Sequence, residues 1–194
     1  GLGDVYKRQK SIYDKKEQLN LSTEDAKLLE DLYESFKANG ATLNKDDKEK
    51  YRKLSMDLSM LTLQFDQNAL KDKNRFELLI TDENELSGLP ESARDAAAML
   101  AKSKDKNGWL FNLSAPSYIP FMRYSDKRDL REKMYREYMS VGNKGDEFDN
   151  KDIIKKIVNI RLEIAQLMGF KNYAEYALEH TMAKNSANVY KLLN

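Results

Sequence analysis

Residues 149–169, DNKDIIKKIVNIRLEIAQLMG, decide the fold class of this chain. Asp149 and Asn150 are helix-capping residues, and Gly169 is a typical residue for a helix to end on. Between them, large apolar residues recur mostly at steps of three and four, which places them on one face of a helix. They are Ile153, Ile154, Ile157, Ile160, Ile164 and Leu167. The stretch therefore predicts an amphipathic helix with a buried apolar stripe.

The same pattern predicts helices elsewhere in the chain. Ser22 opens one that ends at Gly40, and Asn44 caps a longer one, so the two form an antiparallel pair joined by a short loop. The apolar faces of these two helices comprise Leu28, Leu29, Leu32 and Phe36 in the first, and Tyr51, Leu54, Leu58, Leu61 and Phe65 in the second. Further helices are predicted over residues 92–102, from Ser125 to about Val141, over residues 172–178, and from Asn185 onward.

Two short segments break the helical period and are predicted as strands, Phe76–Ile80 and Trp109–Leu113. A turn at residues 104–108 precedes the second strand, and Pro116 and Pro120 are expected in a loop after it. The predicted fold is mainly α, a helical bundle with a short β-hairpin packed on the helices.

Composition excludes several function classes. The chain has 33 basic and 32 acidic residues, so its net charge of +1 creates no general attraction for nucleic acid or an anionic membrane. No apolar run approaches the ~20 residues of a spanning helix. The absence of cysteine excludes disulfides and thiolate chemistry and is typical of a cytoplasmic protein. We expect a soluble protein.

Residues 1–9, GLGDVYKRQ, match the translation of a widely used transposase sequencing adapter. We interpret them as an artefact of sequencing rather than native protein, and we expect the native N-terminus to be missing. The native part is then residues 10–194.

The residues that could carry chemistry do not form a catalytic set. A zincin-type site needs two histidines one helical turn apart with a glutamate between them, whereas this chain has the single histidine His180, next to Glu179. We interpret His180 as a surface or helix-end residue. The carboxylate pairs Asp46-Asp47 and Asp146-Glu147 are interpreted as helix-start charges and a polar loop, respectively. No catalytic, metal-binding or cofactor-binding residue is predicted.

Two further patterns favour structural interpretations. Residues 142–145, GNKG, lack the spacing of a phosphate-binding loop and are predicted to form a flexible turn. A basic patch comprises Arg123, Lys127, Arg128, Arg131, Lys133 and Arg136. Acidic residues lie among these at helix-pairing distances, namely Asp126, Asp129, Glu132 and Glu137. A solvated face of ion pairs is favoured over nucleic-acid binding.

Several segments in one order resemble the N-terminal helical region of the thimet oligopeptidase family of zinc metallopeptidases. They are residues 61–68 (LTLQFDQN), 86–90 (LSGLP), 116–122 (PSYIPFM), 128–133 (RDLREK), 149–150 (DN), 161–165 (RLEIA), 167–174 (LMGFKNYA) and 182–184 (MAK). The resemblance covers essentially the whole chain after Gln9. Among the branches of the family, the bacterial peptidyl-dipeptidases and the type A oligopeptidases are the most similar, and the segment from Pro116 to Tyr138 favours the former.

The resemblance implies a mostly helical, clam-shaped peptidase, monomeric when intact, whose deep channel admits short peptides. It also implies a zinc ion held by a H-E-x-x-H helix and a downstream glutamate in the C-terminal half. None of those positions exists in residues 10–194, so the C-terminal zinc domain is expected to be missing. This chain would form part of one channel wall, bind no zinc alone and cleave nothing.

Two alternatives remain open. The chain could be a self-contained helical module that binds a protein partner without catalysis, or a nucleic-acid binder acting through the basic patch. If it is instead part of a peptidase, apolar faces such as Leu54, Leu58, Leu61 and Phe65 are expected to be partly exposed, and the isolated chain to aggregate or pack loosely.

Overall fold

The structure, a computed structural model, describes the backbone of residues 2–194 and the side chains from Val5 onward. The described residues form two compact units. One contains the residues up to Met60 together with Ile157–Asn194, and the other contains Leu61–Lys156. The first is called unit 1 and the second unit 2.

Helices account for most of the described chain, as the sequence predicts. The α-helices are α1 Leu2–Tyr13, α2 Thr23–Ala38, α3 Lys45–Arg75, α4 Glu91–Ser103, α5 Ala115–Tyr124, α6 Arg128–Met139, α7 Lys151–Leu167, α8 Tyr173–Leu178 and α9 Ser186–Leu193. Short 3-10 turns cover Lys16–Gln18 and Glu83–Leu86, and two strands are β1 Leu78–Ile80 and β2 Trp109–Phe111. None of the helices formed by residues 2–194 is long and apolar enough to cross a membrane.

Four of the predicted helix starts are confirmed by capping hydrogen bonds, whereas the start predicted at Ser125 is wrong, because α6 begins at Arg128 after Lys127. The side chains of Ser22, Asn44, Asn172 and Asn185 each accept a hydrogen bond from the backbone N–H three residues later, at 2.9–3.1 Å. Each satisfies one amide that a helix leaves without an internal partner. At the other end of α2, Gly40 adopts a φ of 78°, which lets the chain turn out of the helix as predicted.

The two strands pair antiparallel, with Leu78 opposite Phe111 and Ile80 opposite Trp109. They are shorter than predicted, because α3 continues to Arg75 and only three residues of each segment find a ladder partner. Helix α4 lies between them in the sequence and packs closely on β2. A two-stranded sheet is marginal alone, so this helix supplies the apolar surface that it needs.

The core of unit 2 surrounds this sheet. Phe111 and Phe121 are almost fully buried and meet edge to face, with ring centroids 4.8 Å apart. Such pairs add about 0.5–1.5 kcal/mol to the stabilisation that comes from burial alone. The other buried members are Leu78, Ile80, Leu86, Leu89, Ala97, Leu113 and Met134.

The expectation of a loop around Pro116 and Pro120 is wrong, because both prolines lie inside α5. Pro116 lies in the first turn, where the backbone N–H has no partner within a helix, so it costs little there. Pro120 does remove one N–H from the helix. Burial of Phe121, and the stacking of Tyr118 on Tyr138 at 4.2 Å, offset that loss.

In unit 1, α1 packs on α2 through the stacked rings of Tyr13 and Tyr33, with centroids 3.9 Å apart. The Tyr176 hydroxyl of α8 donates to the Ala38 carbonyl at the end of α2, at 2.7 Å. Among the described residues, α2 makes its more extensive backbone contact with α1. The aromatic rings of α1 and α2 provide this contact.

Not every residue assigned to an apolar stripe is buried. In α7, Ile153 and Ile164 are buried, but Ile154 is 48% exposed, so its assignment to the stripe is wrong. Successive residues of a helix are about 100° apart, and Ile154 lies one step off the face that Ile153 defines. Leu28 and Leu32 of α2 are also exposed. The α3 residues Leu54, Leu58, Leu61 and Phe65 are partly exposed, as expected.

Candidate functional site

The single histidine lies at the surface. His180 follows the end of α8, and its side chain is 45% exposed. Its Nε2 atom is 3.2 Å from a Glu179 carboxylate oxygen and 4.0 Å from one of Glu34. The interpretation of His180 as a helix-end residue is confirmed.

No group of three or more histidine, cysteine, aspartate or glutamate side chains within residues 5–194 is placed to hold a metal ion. A catalytic zinc ion needs three protein ligands in tetrahedral arrangement. The residues present therefore do not fit a zinc centre, and no catalytic step is assigned to them.

The two carboxylate pairs have structural roles. Asp46 and Asp47 lie in the first turn of α3, where negative charge interacts favourably with the helix dipole, as predicted. Asp146 lies in the loop before α7 and forms an ion pair with Arg75 of α3. The hydrogen bond from Arg75 holds the pKa of the Asp146 carboxyl below its ordinary value.

The turn at residues 142–145 is tethered rather than free, which corrects the expectation of a flexible turn. The Gly142 amide donates to Asp72 Oδ2 at 2.7 Å, and Lys144 Nζ contacts Asp72 Oδ1 at 3.1 Å and Glu137 Oε2 at 2.7 Å. Burial opposes the charge on Lys144, yet its hydrogen bonds to Glu137 and Asp72 raise its pKa. Protein carboxylates thus occupy the donors that a phosphate loop would offer to a ligand.

Asp72 is the centre of a buried polar cluster that the sequence analysis missed. Its side chain is fully buried, and Arg75 Nε contacts it at 2.7 Å, in addition to Gly142 and Lys144. Nearby, Asn68 donates to Asn150 Oδ1 at 3.1 Å, and Asn150 donates to the Phe65 carbonyl at 3.0 Å. These bonds join α3 to the loop between α6 and α7.

A signal for this cluster was present in the sequence. Asn68 and Asp72 continue the three- and four-residue steps of the apolar face of α3, immediately after Phe65. Polar residues in a buried register require hydrogen-bond partners. The cluster is satisfied by protein groups, so we assign it a structural role.

The basic patch forms some of the ion pairs that were predicted. Arg136 pairs with Glu132 at 2.7 Å, one helical turn away on α6. Arg131 donates to the Ser125 carbonyl, and Asp126 accepts a hydrogen bond from Ser87 at 2.6 Å. Some of the charged side chains on this face therefore form ion pairs or hydrogen bonds within unit 2.

Unit 1 contains a largely apolar cleft of about 890 Å³ at the end of α2 and the first half of α3. Its lining residues are Tyr6, Phe36, Asn39, Gly40, Ala41, Lys48, Tyr51, Arg52, Ser55, Met56, Ser59 and Met60. The lining includes neither a carboxylate nor a histidine, which are the side chains that most often act as general bases. Tyr6 also belongs to the residues interpreted as an adapter, and we assign the cleft no catalytic function.

Comparison with known proteins shows similarity to peptidases. Residues 121–194 match the model of peptidase family M3. Over 97% of its length the chain is 36% identical to oligopeptidase A of Escherichia coli, and over 98% it is 35% identical to oligopeptidase A of Haemophilus influenzae. Over 94% it is 31% identical to dipeptidyl carboxypeptidase of Escherichia coli. Identity is higher to oligopeptidase A, which reverses the preference drawn from Pro116 to Tyr138.

The matches cover only part of each relative. They span 28% of both oligopeptidase A sequences and 27% of the dipeptidyl carboxypeptidase, so the chain spans about a quarter of the length of the curated relatives it matches. The resemblance seen in the sequence is confirmed by these matches, and they extend along nearly all of the chain. Residues 121–194 thus match peptidase family M3, and nearly the whole chain is similar to a region of oligopeptidase A and of dipeptidyl carboxypeptidase.

Proposed function

We propose that this chain is part of a zinc metallopeptidase that hydrolyses short peptides, and that it forms one wall of the substrate channel. The observation that carries the proposal is 36% identity to an oligopeptidase A over 97% of the chain. In this proposal, residues 10–194 are the native part of the chain. The zinc ligands and the catalytic glutamate belong to a C-terminal domain outside it. The whole peptidase is a cytoplasmic monomer.

The exposed apolar surface supports this proposal. Large apolar side chains on α2, α3, α7 and α9 are more than one third exposed, among them Leu28, Met60, Val158 and Leu192. Exposed apolar surface on several helices is typical of a region that packs against further protein. A part of a larger peptidase would have this property.

A self-contained helical interaction module is the alternative. The compact core of unit 2 around Phe111 and Phe121 supports it, because a region with its own core can fold independently. Such a module would bind a partner without cleaving peptides.

A chimaeric enzyme tests the proposal. This chain replaces the homologous region of Escherichia coli oligopeptidase A, and hydrolysis of a short fluorogenic peptide is measured with and without a zinc chelator. We expect hydrolysis that the chelator abolishes. As a control, the homologous region of Haemophilus influenzae oligopeptidase A is inserted at the same junctions. An active control beside a folded but inactive chimaera would contradict the proposal.

A further inference from the structure

Helix α3 carries a second apolar stripe on the side of the helix away from its more buried residues. The inner stripe continues through Leu61 and Phe65 to the buried Asn68 and Asp72. The outer stripe consists of Met56, Met60, Leu63 and Leu70. At about 100° per residue, the two stripes lie roughly 180° apart around the helix axis.

The outer stripe is exposed along its whole length. Met56 is 57% exposed, Met60 68%, and Leu63 and Leu70 59% each. A solvent-facing helix surface normally carries polar residues. An α-helix that is apolar on two opposite sides is typical of one that is covered on both.

The spacing of the outer stripe indicates what covers it. Residues 56, 60, 63, 67 and 70 follow alternating steps of four and three, the a and d positions of a heptad, with Gln67 as the one polar member. This spacing suits side chains that interdigitate with a second helix.

We propose that a helix from the rest of the peptidase docks on the outer stripe of α3. This inference rests on the proposed function and adds to it the contact surface and the kind of segment that binds there. The relatives supply the reason for choosing this occupant. The chain spans only 28% of the length of oligopeptidase A, so nearly three quarters of such a protein lies outside it and is available to cover α3.

Chemical protection measures this contact. The chain contains no cysteine, so Leu63→Cys and Gln64→Cys each introduce a single thiol. Gln64 is an exposed neighbour about 100° around the helix from Leu63, which makes it the matched control. Each thiol is labelled with a maleimide, in the isolated full chain and in the chimaera built on a cysteine-free Escherichia coli oligopeptidase A.

We expect the Leu63→Cys thiol to react at least about tenfold more slowly in the chimaera than in the isolated chain, and the Gln64→Cys thiol to change less than about twofold. Equal labelling of the Leu63→Cys thiol in both would overturn the inference. An active chimaera with an unprotected thiol would refute the docking surface alone. Protection in an inactive chimaera would support docking and contradict the proposed function.

A second measurement identifies the occupant without removing the stripe. A photo-crosslinking phenylalanine derivative replaces Met60 in the chimaera, and the crosslinked peptides are identified by mass spectrometry. Crosslinks to a helix of the host part of the same polypeptide are expected. Crosslinks between two chimaera molecules would show that a second copy covers the stripe, and would overturn the proposal.

Discussion

Asp72→Ala tests the structural account of unit 2 most sharply. The substitution removes the acceptor of the Gly142 amide, and a buried amide left without a partner costs about 1–3 kcal/mol. Arg75 and Lys144 also lose a contact, but each keeps another carboxylate, Asp146 and Glu137 respectively. Those two losses add about 0–1 kcal/mol each. We therefore expect Asp72→Ala to lower the free energy of unfolding by about 3 kcal/mol.

Two variants separate the charge from the hydrogen bonds. Asp72→Asn keeps an oxygen that can accept from Gly142 but loses the charge, so a smaller loss of about 1–2 kcal/mol is expected. Asp66→Ala removes an exposed carboxylate from the same helix and should cost less than about 0.5 kcal/mol.

Trp109 provides the assay. It is the only tryptophan of the chain and lies in β2, so its fluorescence reports on unit 2. With a urea m-value of about 1–3 kcal/mol/M, a loss of 3 kcal/mol lowers the unfolding midpoint by about 1–3 M. An Asp72→Ala midpoint within error of that of Asp66→Ala would refute the reasoning, because the buried cluster would then contribute nothing to stability.

Three other comparisons test the remaining features of the fold. Phe121→Ala empties a fully buried site against Phe111 and should lower the free energy of unfolding by about 3–5 kcal/mol, measured by urea unfolding followed by Trp109 fluorescence. Ile119→Ala, at an exposed neighbour, should lower it by less than about 0.5 kcal/mol. Similar losses in the two variants would contradict the described core. Gly88 and Gly169 both have a positive φ, of 83° and 86°. A Cβ atom added at Gly88 would clash with the Tyr124 carbonyl oxygen, whereas a Cβ atom added at Gly169 would have no other residue's atom within 4 Å, its chain neighbours aside. Gly169→Ala should therefore cost about 1–2 kcal/mol and Gly88→Ala clearly more, and an equal fall in melting temperature by circular dichroism would argue against that close approach. Hydrogen bonds from Lys104 and Lys106 hold the pKa of Glu77 below its ordinary value of 4.5, so its contribution to stability is present above that pH and is lost as pH falls through the folded-state pKa. Glu77→Gln should thus melt at a lower temperature than the parent near about pH 6 and converge with it towards about pH 3, and a pH-independent difference would exclude this linkage.

Local signals predicted much of the secondary structure. Ser22, Asn44, Asn172 and Asn185 mark helix starts because a capping side chain and the amide that it satisfies lie three residues apart. Such signals need no information about the rest of the fold. The same holds for Gly40, whose positive φ is a local requirement of the turn.

The errors arose where distant contacts decide the outcome. Proline at positions 116 and 120 favours a loop locally, but burial of Phe121 and the stacking of Tyr118 stabilise a helix. The Asp72 cluster joins residues about 70 positions apart in sequence, so only its polar character within an apolar register was visible beforehand. Exposure of Ile154 likewise depends on what packs against α7.

For the candidate site, the sequence predicted some features and not others. The position of His180 at the surface was predictable, because a lone histidine without a second ligand lacks the constellation that metal binding requires. The resemblance to the peptidase family could be recognised from short segments in a fixed order. The more similar branch, oligopeptidase A, could not be predicted, because the sequence identities to the two branches differ by only a few per cent.

Sequencing the source gene beyond the codon for Asn194 tests the central claim most directly. If the chain is part of a zinc peptidase, the reading frame continues into a H-E-x-x-H motif followed by a further glutamate ligand. A stop codon shortly after Asn194 in the intact gene would contradict that account and favour a self-contained helical module.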